Sequence, residues 1–202
     1  MNLVTAAAVF AVILPAELPD KTMIASLVLG TRFPPRTAWF GVAGAFLVHV
    51  TIAVTAGGAL SLLPHWIVGA IAASLFLIGA VVLARESSRA EEAEEIEADE
   101  EAVDAAEAAG PPGPARIVAT CFGIVFVAEW GDLTQIVTAS LAARYHDPLS
   151  VGIGAVLALW TVAAIGVFAG RSLLRVIPMH LIRRVAAGAL LIMAVITVVG
   201  IL

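Results

Sequence analysis

Most of the architecture follows from residues 3–29, which read LVTAAAVFAVILPAELPDKTMIASLVL. A stretch of this length can cross a bilayer as a helix, because the hydrocarbon core takes about 20 mostly apolar residues. Its centre, however, carries Glu17, Asp20 and Lys21. Insertion scales assign a cost of ~2.5–3.5 kcal/mol to a central Asp, so charges at this depth usually mark functional sites. The stretch therefore predicts a membrane span with a buried polar site.

The same acidic pattern occurs again 112 positions later. AELPDKT, residues 16–22, is matched by AEWGDLT, residues 128–134, which also lies at the centre of a long apolar stretch. The matching pairs are Glu17 with Glu129, Asp20 with Asp132, and Thr22 with Thr134. The sequence thus predicts two related halves, each with its own acidic motif.

The composition is that of a membrane protein. Hydrophobic residues make up 61% of the chain and charged residues only 13%, whereas soluble domains have about 25% charged residues. Apolar stretches of membrane-spanning length occur at 3–29, 38–60, 66–84, 117–142, 149–170 and 184–202. We therefore predict an all-α membrane protein with six transmembrane helices.

An acidic linker divides the spans into two groups of three. Of the 16 acidic residues, 11 lie between Glu86 and Glu107. The predicted divisions are a first three-helix repeat at 1–86, the linker at 87–115 and a second repeat at 116–202. The linker shows no apolar stripe to bury, which favours a flexible tether. An alternative is that its charge concentrates cations near a pore.

The basic residues predict the orientation. Nine arginines flank the spans on one side of the membrane, and Arg144 alone lies on the other. The positive-inside rule places the nine, and the acidic linker with them, in the cytoplasm, so both termini lie outside. Because each half has an odd number of spans, the second half enters the membrane in the opposite orientation. This inverted repeat is a plan typical of transporters with a site at the midplane.

The motif acids are expected to meet at that midplane. Glu and Asp three positions apart project from one face of a helix. Two such helices facing each other would gather four carboxylates around one cavity, a costly arrangement unless it binds an ion. The acids in question are Glu17, Asp20, Glu129 and Asp132.

Neighbouring residues add to this predicted site. Pro19 has no N–H and should interrupt the first span near Glu17, freeing carbonyl oxygens for an ion. Thr22, Thr134 and Gln135 supply further neutral oxygens, although a threonine in a helix also bonds to its own preceding turn. Two more residues are ancillary candidates: Lys21 can pair with Glu17, and His49 is either a proton relay or ligand, or a hydrogen-bonding partner of a neighbouring helix.

The two motifs resemble those of a known family. ELPDKT and EWGDLTQ are similar to the paired E-x-G-D-(K/R)-(T/S) motifs of the Gdt-type cation/proton exchangers, which include manganese and calcium transporters. The resemblance implies exchange of Mn²⁺ or Ca²⁺ for protons, with the motif acids as ligands and Thr22 and Thr134 as helpers. The chain departs from the pattern at Pro19, which replaces a glycine, and at Leu133, which replaces a basic residue.

The sequence therefore predicts a divalent cation/proton antiporter rather than an enzyme. Oxygen ligands suit hard cations such as Ca²⁺ and Mn²⁺. A passive cation channel remains an alternative, as does an intramembrane hydrolase with Asp20 and Asp132 as its dyad. The expected partners are the transported cation and the lipid bilayer, with no cofactor and no nucleic acid, and the oligomeric state is left open. The expected location is the plasma (inner) membrane of a bacterium.

Overall fold

The helices account for all regular structure in the described part of the chain. The computed structural model describes residues 2–18, 21–60, 62, 64–84, 97, 100–105, 113–169, 188, 191–192, 194–195 and 198–199. No β-strand occurs among these residues. The helices are α1 Leu3–Glu17, α2 Lys21–Arg32, α3 Pro35–Leu60, α4 His65–Ala84, α5 Pro114–Ala128, α6 Leu133–Tyr145 and α7 Pro148–Ala164, which continues into a π-helical turn at Ile165–Ala169.

The first predicted span is broken at its acidic motif. It consists of α1 and α2, and the axes of Leu3–Glu17 and Thr22–Arg32 differ by 73°. The predicted interruption of the first span near Glu17 agrees with this bend. Pro19 accounts for the interruption from sequence alone, because proline lacks the N–H that an α-helix needs at that position.

The fourth predicted span, 117–142, is also broken at its motif. Helix α5 ends at Ala128, and a turn at residues 129–131 leads into α6. Gly131 has a φ of +77°, a left-handed conformation that glycine adopts at little cost. Asp132 then caps α6, because its carboxylate accepts a hydrogen bond from the Thr134 N–H at 3.0 Å. The second motif thus occupies a break between two helices instead of one face of a continuous helix, and in the first half Glu17 ends α1 while Lys21 begins α2.

The longest apolar helices in the described part of the chain are α3 and α7 with its π-helical turn, which correspond to the second predicted span of each half. By length and composition, Pro35–Ala59 and Pro148–Ala169 could each cross a membrane, and the bent pair α1–α2 would make a third span. Both begin with a proline, which suits the first turn of a helix. The predicted sixth span, 184–202, falls mostly outside the described residues, so six spans in an inverted arrangement stay a prediction.

The two halves pack reciprocally through these long helices. Helix α1 packs against α7, and α5 packs against α3. A Cβ atom added to Gly154 would lie 2.4 Å from the Ala6 carbonyl oxygen, and one added to Gly41 would lie 2.5 Å from the Val118 carbonyl oxygen. Glycine therefore permits backbone-to-backbone contact at both interfaces, as is common between membrane helices.

The beginnings of α1 and α7 are also connected by hydrogen bonds. The Asn2 N–H donates to the Ser150 hydroxyl at 2.7 Å, and that hydroxyl donates to Asp147 at 2.6 Å. Asp147 caps α7 by accepting from the Ser150 N–H at 3.1 Å. The hydroxyl and the N–H of Ser150 hold the pKa of Asp147 below its ordinary value.

Part of the acidic linker packs onto the first half. Residues 100–105 are helical, and Val103 is fully buried. Asp104 forms an exposed ion pair with Arg32 at the end of α2. The expectation that the linker has nothing to bury is therefore wrong at Val103. The packing of residues 100–105 does not test the predicted linker boundaries at 87 and 115, which stay predictions.

Candidate cation site

The breaks of the two halves border one small cavity. The cavity measures about 20 Å³ and is lined by Glu17, Glu129 and Asp132 together with several polar side chains. A space of this size holds about one water molecule or one ion without its hydration shell. Its walls are formed by α3, α6, the end of α1, the segment between α5 and α6, and Leu159 of α7.

The motif threonines and glutamates are cross-paired between the halves. The Thr22 hydroxyl donates to Glu129 Oε1 at 2.7 Å, and the Thr134 hydroxyl donates to Glu17 Oε1. Glu17 and Glu129 are buried, at 1% and 6% exposure. Thr22 is buried too. Each half thus supplies the hydroxyl donor for the other half's glutamate.

A second polar chain runs behind the acids. The Gly131 N–H donates to Gln135 Oε1 at 3.1 Å, which turns the Gln135 amide nitrogen towards His49 Nδ1, also at 3.1 Å. His49 Nε2 lies 3.1 Å from the Phe126 carbonyl oxygen. Since a carbonyl only accepts, Nε2 carries the proton and Nδ1 is the acceptor in this network.

This network bears on the two roles weighed for His49. Both ring nitrogens take part in hydrogen bonds to α5 and α6, and the ring stacks on Phe126 with centroids 4.8 Å apart. His49 therefore links α3 to the α5–α6 break. His49 and Gln135 also line the cavity, so their part in ion or proton binding stays a prediction.

Other predicted site residues are only partly described. Asp20 lies outside the described residues, and for Lys21 only the backbone is described, as the first residue of α2. The predicted pairing of Lys21 with Glu17 therefore stays a prediction. In the described part of the chain, no three His, Cys, Asp or Glu side chains are gathered closely enough to hold a metal ion. Coordination at the cavity would require the acids to turn towards a common point.

Comparison with known proteins identifies the family. A family model described as divalent cation/proton antiporter GDT1 matches residues 5–91 and 117–201. The chain belongs to the GDT1 family. It is 30% identical to a GDT1-like protein of Synechocystis sp. over 161 residues, which cover 77% of this chain and 78% of that protein. It is 42% identical over 73 residues to a putative manganese exporter of Vibrio cholerae, covering 36% of each chain. No solved structure matches the chain.

Membership of GDT1 confirms the resemblance seen in the motifs. The two matched segments flank the acidic linker, and each contains one motif. GDT1 is a family of transporters, and the described helices include segments apolar enough to cross a bilayer. This GDT1 chain is therefore an integral membrane protein of a family that transports divalent cations.

One polar residue that lines the cavity of this GDT1 chain was missed by motif reasoning. Thr138 lines the cavity one helical turn beyond Thr134. The signal was present in the repeat, because Ser26 stands 112 positions earlier and also carries a hydroxyl. Comparison of the halves beyond the seven-residue motif would have found it.

Proposed function

We propose that the chain exchanges a divalent cation, Mn²⁺ or Ca²⁺, for protons at the cavity between the two motifs. The observation that carries this proposal is the cross-pairing of buried glutamates and threonines from both halves at one cavity. The proposed ligands are Glu17, Asp20, Glu129 and Asp132, with Thr22 and Thr134 as helpers.

Charge at the cavity supports the exchange of protons for a cation. Glu17, Glu129 and Asp132 would carry three negative charges if all were ionised, and the threonine donors are neutral. Lys21, even if it pairs as predicted, offsets only one of these charges. Carboxylates that line one small cavity need a balancing charge, which either bound protons or a cation can supply. The same oxygens cannot hold both, and competition at a site open alternately to each side is sufficient for antiport.

The size and chemistry of the cavity support a small hard cation. Space for about one water-sized occupant favours an ion that has lost most of its hydration shell. Carboxylate, hydroxyl and amide oxygens are ligands that Mn²⁺ and Ca²⁺ accept. The Vibrio cholerae relative named as a putative manganese exporter favours Mn²⁺.

The proposed setting is the plasma membrane of a bacterium. The relatives from Synechocystis and Vibrio cholerae favour a bacterial source. The arginine distribution favours a cytoplasmic linker with both termini outside. In this orientation the two halves form an inverted repeat around the cavity.

The test is ion flux in proteoliposomes containing the full chain. An imposed proton gradient should drive Mn²⁺ or Ca²⁺ against its own gradient, and the metal flux should move protons the opposite way. Metal affinity should fall as the pH is lowered from about 8 to 6, because protons compete for the carboxylates. Glu17→Gln and Glu129→Gln should each lower the flux at least tenfold. Glu97→Gln, which changes an exposed linker acid, should leave it unchanged.

Two results would refute the proposal. Metal flux without counter-flow of protons and without pH dependence would indicate a channel. Wild-type flux in both motif variants would show that the cavity is not the transport site.

A further inference from the structure

Thr138 holds a buried hydroxyl at the cavity without a partner of its own. The residue is 1% exposed, and its Oγ1 has no hydrogen-bond partner among the described residues. It lines the same cavity as Glu17, Glu129 and Asp132. An unsatisfied buried hydroxyl destabilises the fold, so a group retained in this state is expected to meet an occupant of the cavity.

Three other helical threonines satisfy their hydroxyls within their own helix. Thr51, Thr55 and Thr161 each donate to the carbonyl four residues earlier, at 2.7, 2.7 and 2.6 Å. This bond is the usual solution for a threonine within a helix. Thr138 does not make it. Its hydroxyl is therefore available to the cavity.

The position of Thr138 places its oxygen next to the motif. Residues four apart lie on one face of a helix, so Thr138 is stacked one turn beyond Thr134. The Thr134 hydroxyl donates to Glu17, and the Thr22 hydroxyl donates to Glu129. In contrast, the hydroxyl of Thr138 competes with neither of these bonds.

The repeat supports a functional origin for this hydroxyl. Ser26 stands at the same offset of 112 that relates the motif residues. It is also fully buried, with no partner for its hydroxyl among the described residues. Ser26, however, packs at Gly166, where an added Cβ would lie 2.6 Å from the serine Cβ, and it is not one of the described residues lining the cavity. Of Ser26 and Thr138, only Thr138 is among the described residues that line the cavity.

We propose that Thr138 is a neutral oxygen ligand of the transported cation, outside the seven-residue motif. This inference rests on the proposed function and adds a ligand to its site. A lone pair of Oγ1 binds the divalent cation while the hydroxyl proton is donated to a motif carboxylate, which adds a ligand without adding charge. Hard cations accept such neutral oxygens readily.

The experiment compares Thr138→Val, Thr138→Ser and Ser140→Ala in the purified full chain. Ser140 is the matched control, because it is a buried hydroxyl on the same helix, also without a partner among the described residues, and the cavity-lining residues do not include it. Mn²⁺ binding is measured by calorimetry, and the apparent Tm is measured without added metal. Thr138→Val should weaken Mn²⁺ binding about tenfold. Thr138→Ser should recover most of the affinity, and Ser140→Ala should bind like the wild type.

The metal-free apparent Tm separates a ligand from a structural residue. Valine removes an unsatisfied hydroxyl and keeps the shape, so the Tm of Thr138→Val should stay the same or rise. A ligand is thus predicted to give weaker binding without lost stability. Wild-type affinity in Thr138→Val, or an equal loss in Ser140→Ala, would overturn the inference while leaving the proposed antiport intact. Absence of Mn²⁺ and Ca²⁺ binding by the wild type would overturn both.

Discussion

Replacing Thr22 with valine removes one hydroxyl from the cross-pairing and keeps the branched shape of the side chain. Thr22 is 1% exposed and Glu129 is 6% exposed, and they are joined by a 2.7 Å bond. Water is therefore poorly placed to replace the lost donor. A buried hydrogen bond to a charged group contributes about 1.5–3 kcal/mol. For a chain of this size, that loss corresponds to a decrease of ~3–12 °C in the apparent Tm.

The assay is thermal unfolding of the purified protein in detergent, followed by metal flux in proteoliposomes. Thr22→Ser keeps the donor and should restore most of the Tm. Thr51→Val is the control, since that hydroxyl bonds only to the Leu47 carbonyl on an exposed face, and its effect should stay within about 0.5 kcal/mol. The reasoning fails if Thr22→Val melts like the wild type, or if Thr22→Ser is as damaging as valine.

Two further predictions follow from packing and from charge. Gly57→Ala would place a Cβ 2.4 Å from a backbone oxygen of α6, whereas a Cβ on Gly58 meets nothing within 4 Å in the described part of the chain. Both changes gain the same helix propensity. The free energy of unfolding of Gly57→Ala should therefore be about 1–3 kcal/mol lower than that of Gly58→Ala. Equal Tm values for the two variants would contradict the close packing. Because Ser150 lowers the pKa of Asp147, the ionised carboxylate stabilises the fold above its ordinary pKa of about 3.9 and loses this effect as the pH falls through the lowered value. The Tm difference between the wild type and Asp147→Asn should therefore narrow below about pH 4, and a gap that is constant from pH 7 to pH 3 would refute the assignment.

Much of the site could be predicted from the sequence because its chemistry is repeated. Glu17 and Glu129 were predicted to share one site because a carboxylate in an apolar stretch is costly to bury and usually marks a functional site. Two carboxylates at matching positions of the repeat indicate a common function. The cost of burying a carboxylate follows from the residue itself and from the apolar residues beside it in the chain, so the sequence alone reveals it. The expectation that Glu129 and Asp132 share one helix face was wrong, since α5 ends at Ala128 and Gly131, with a positive φ, lies in the turn between the two acids. A glycine in a long apolar stretch allows a break but does not require one.

The partners of these residues could not be predicted in the same way. The bond from Thr22 to Glu129 joins residues 107 apart in the chain, and its existence depends on how α2 and α5 are placed in space. The threonines were expected to help bind an ion, which stays a prediction, and their bonds to the glutamates of the opposite half were not foreseen. The burial of Val103 was missed for a related reason, because one valine among acids gives no periodic pattern.

The cross-pairing also has a consequence for how the chain is made. Glu17 receives its hydroxyl donor from Thr134, which is 117 residues later in the chain. At synthesis rates of about 5–20 residues per second, Thr134 emerges ~6–23 s after Glu17. During this interval the hydroxyl donor that Thr134 provides to Glu17 has not been made. Early insertion of the first half is therefore easier if Glu17 is protonated or remains close to water until the second half has been made. This requirement applies only during synthesis, because Thr134 supplies the hydrogen bond in the folded protein.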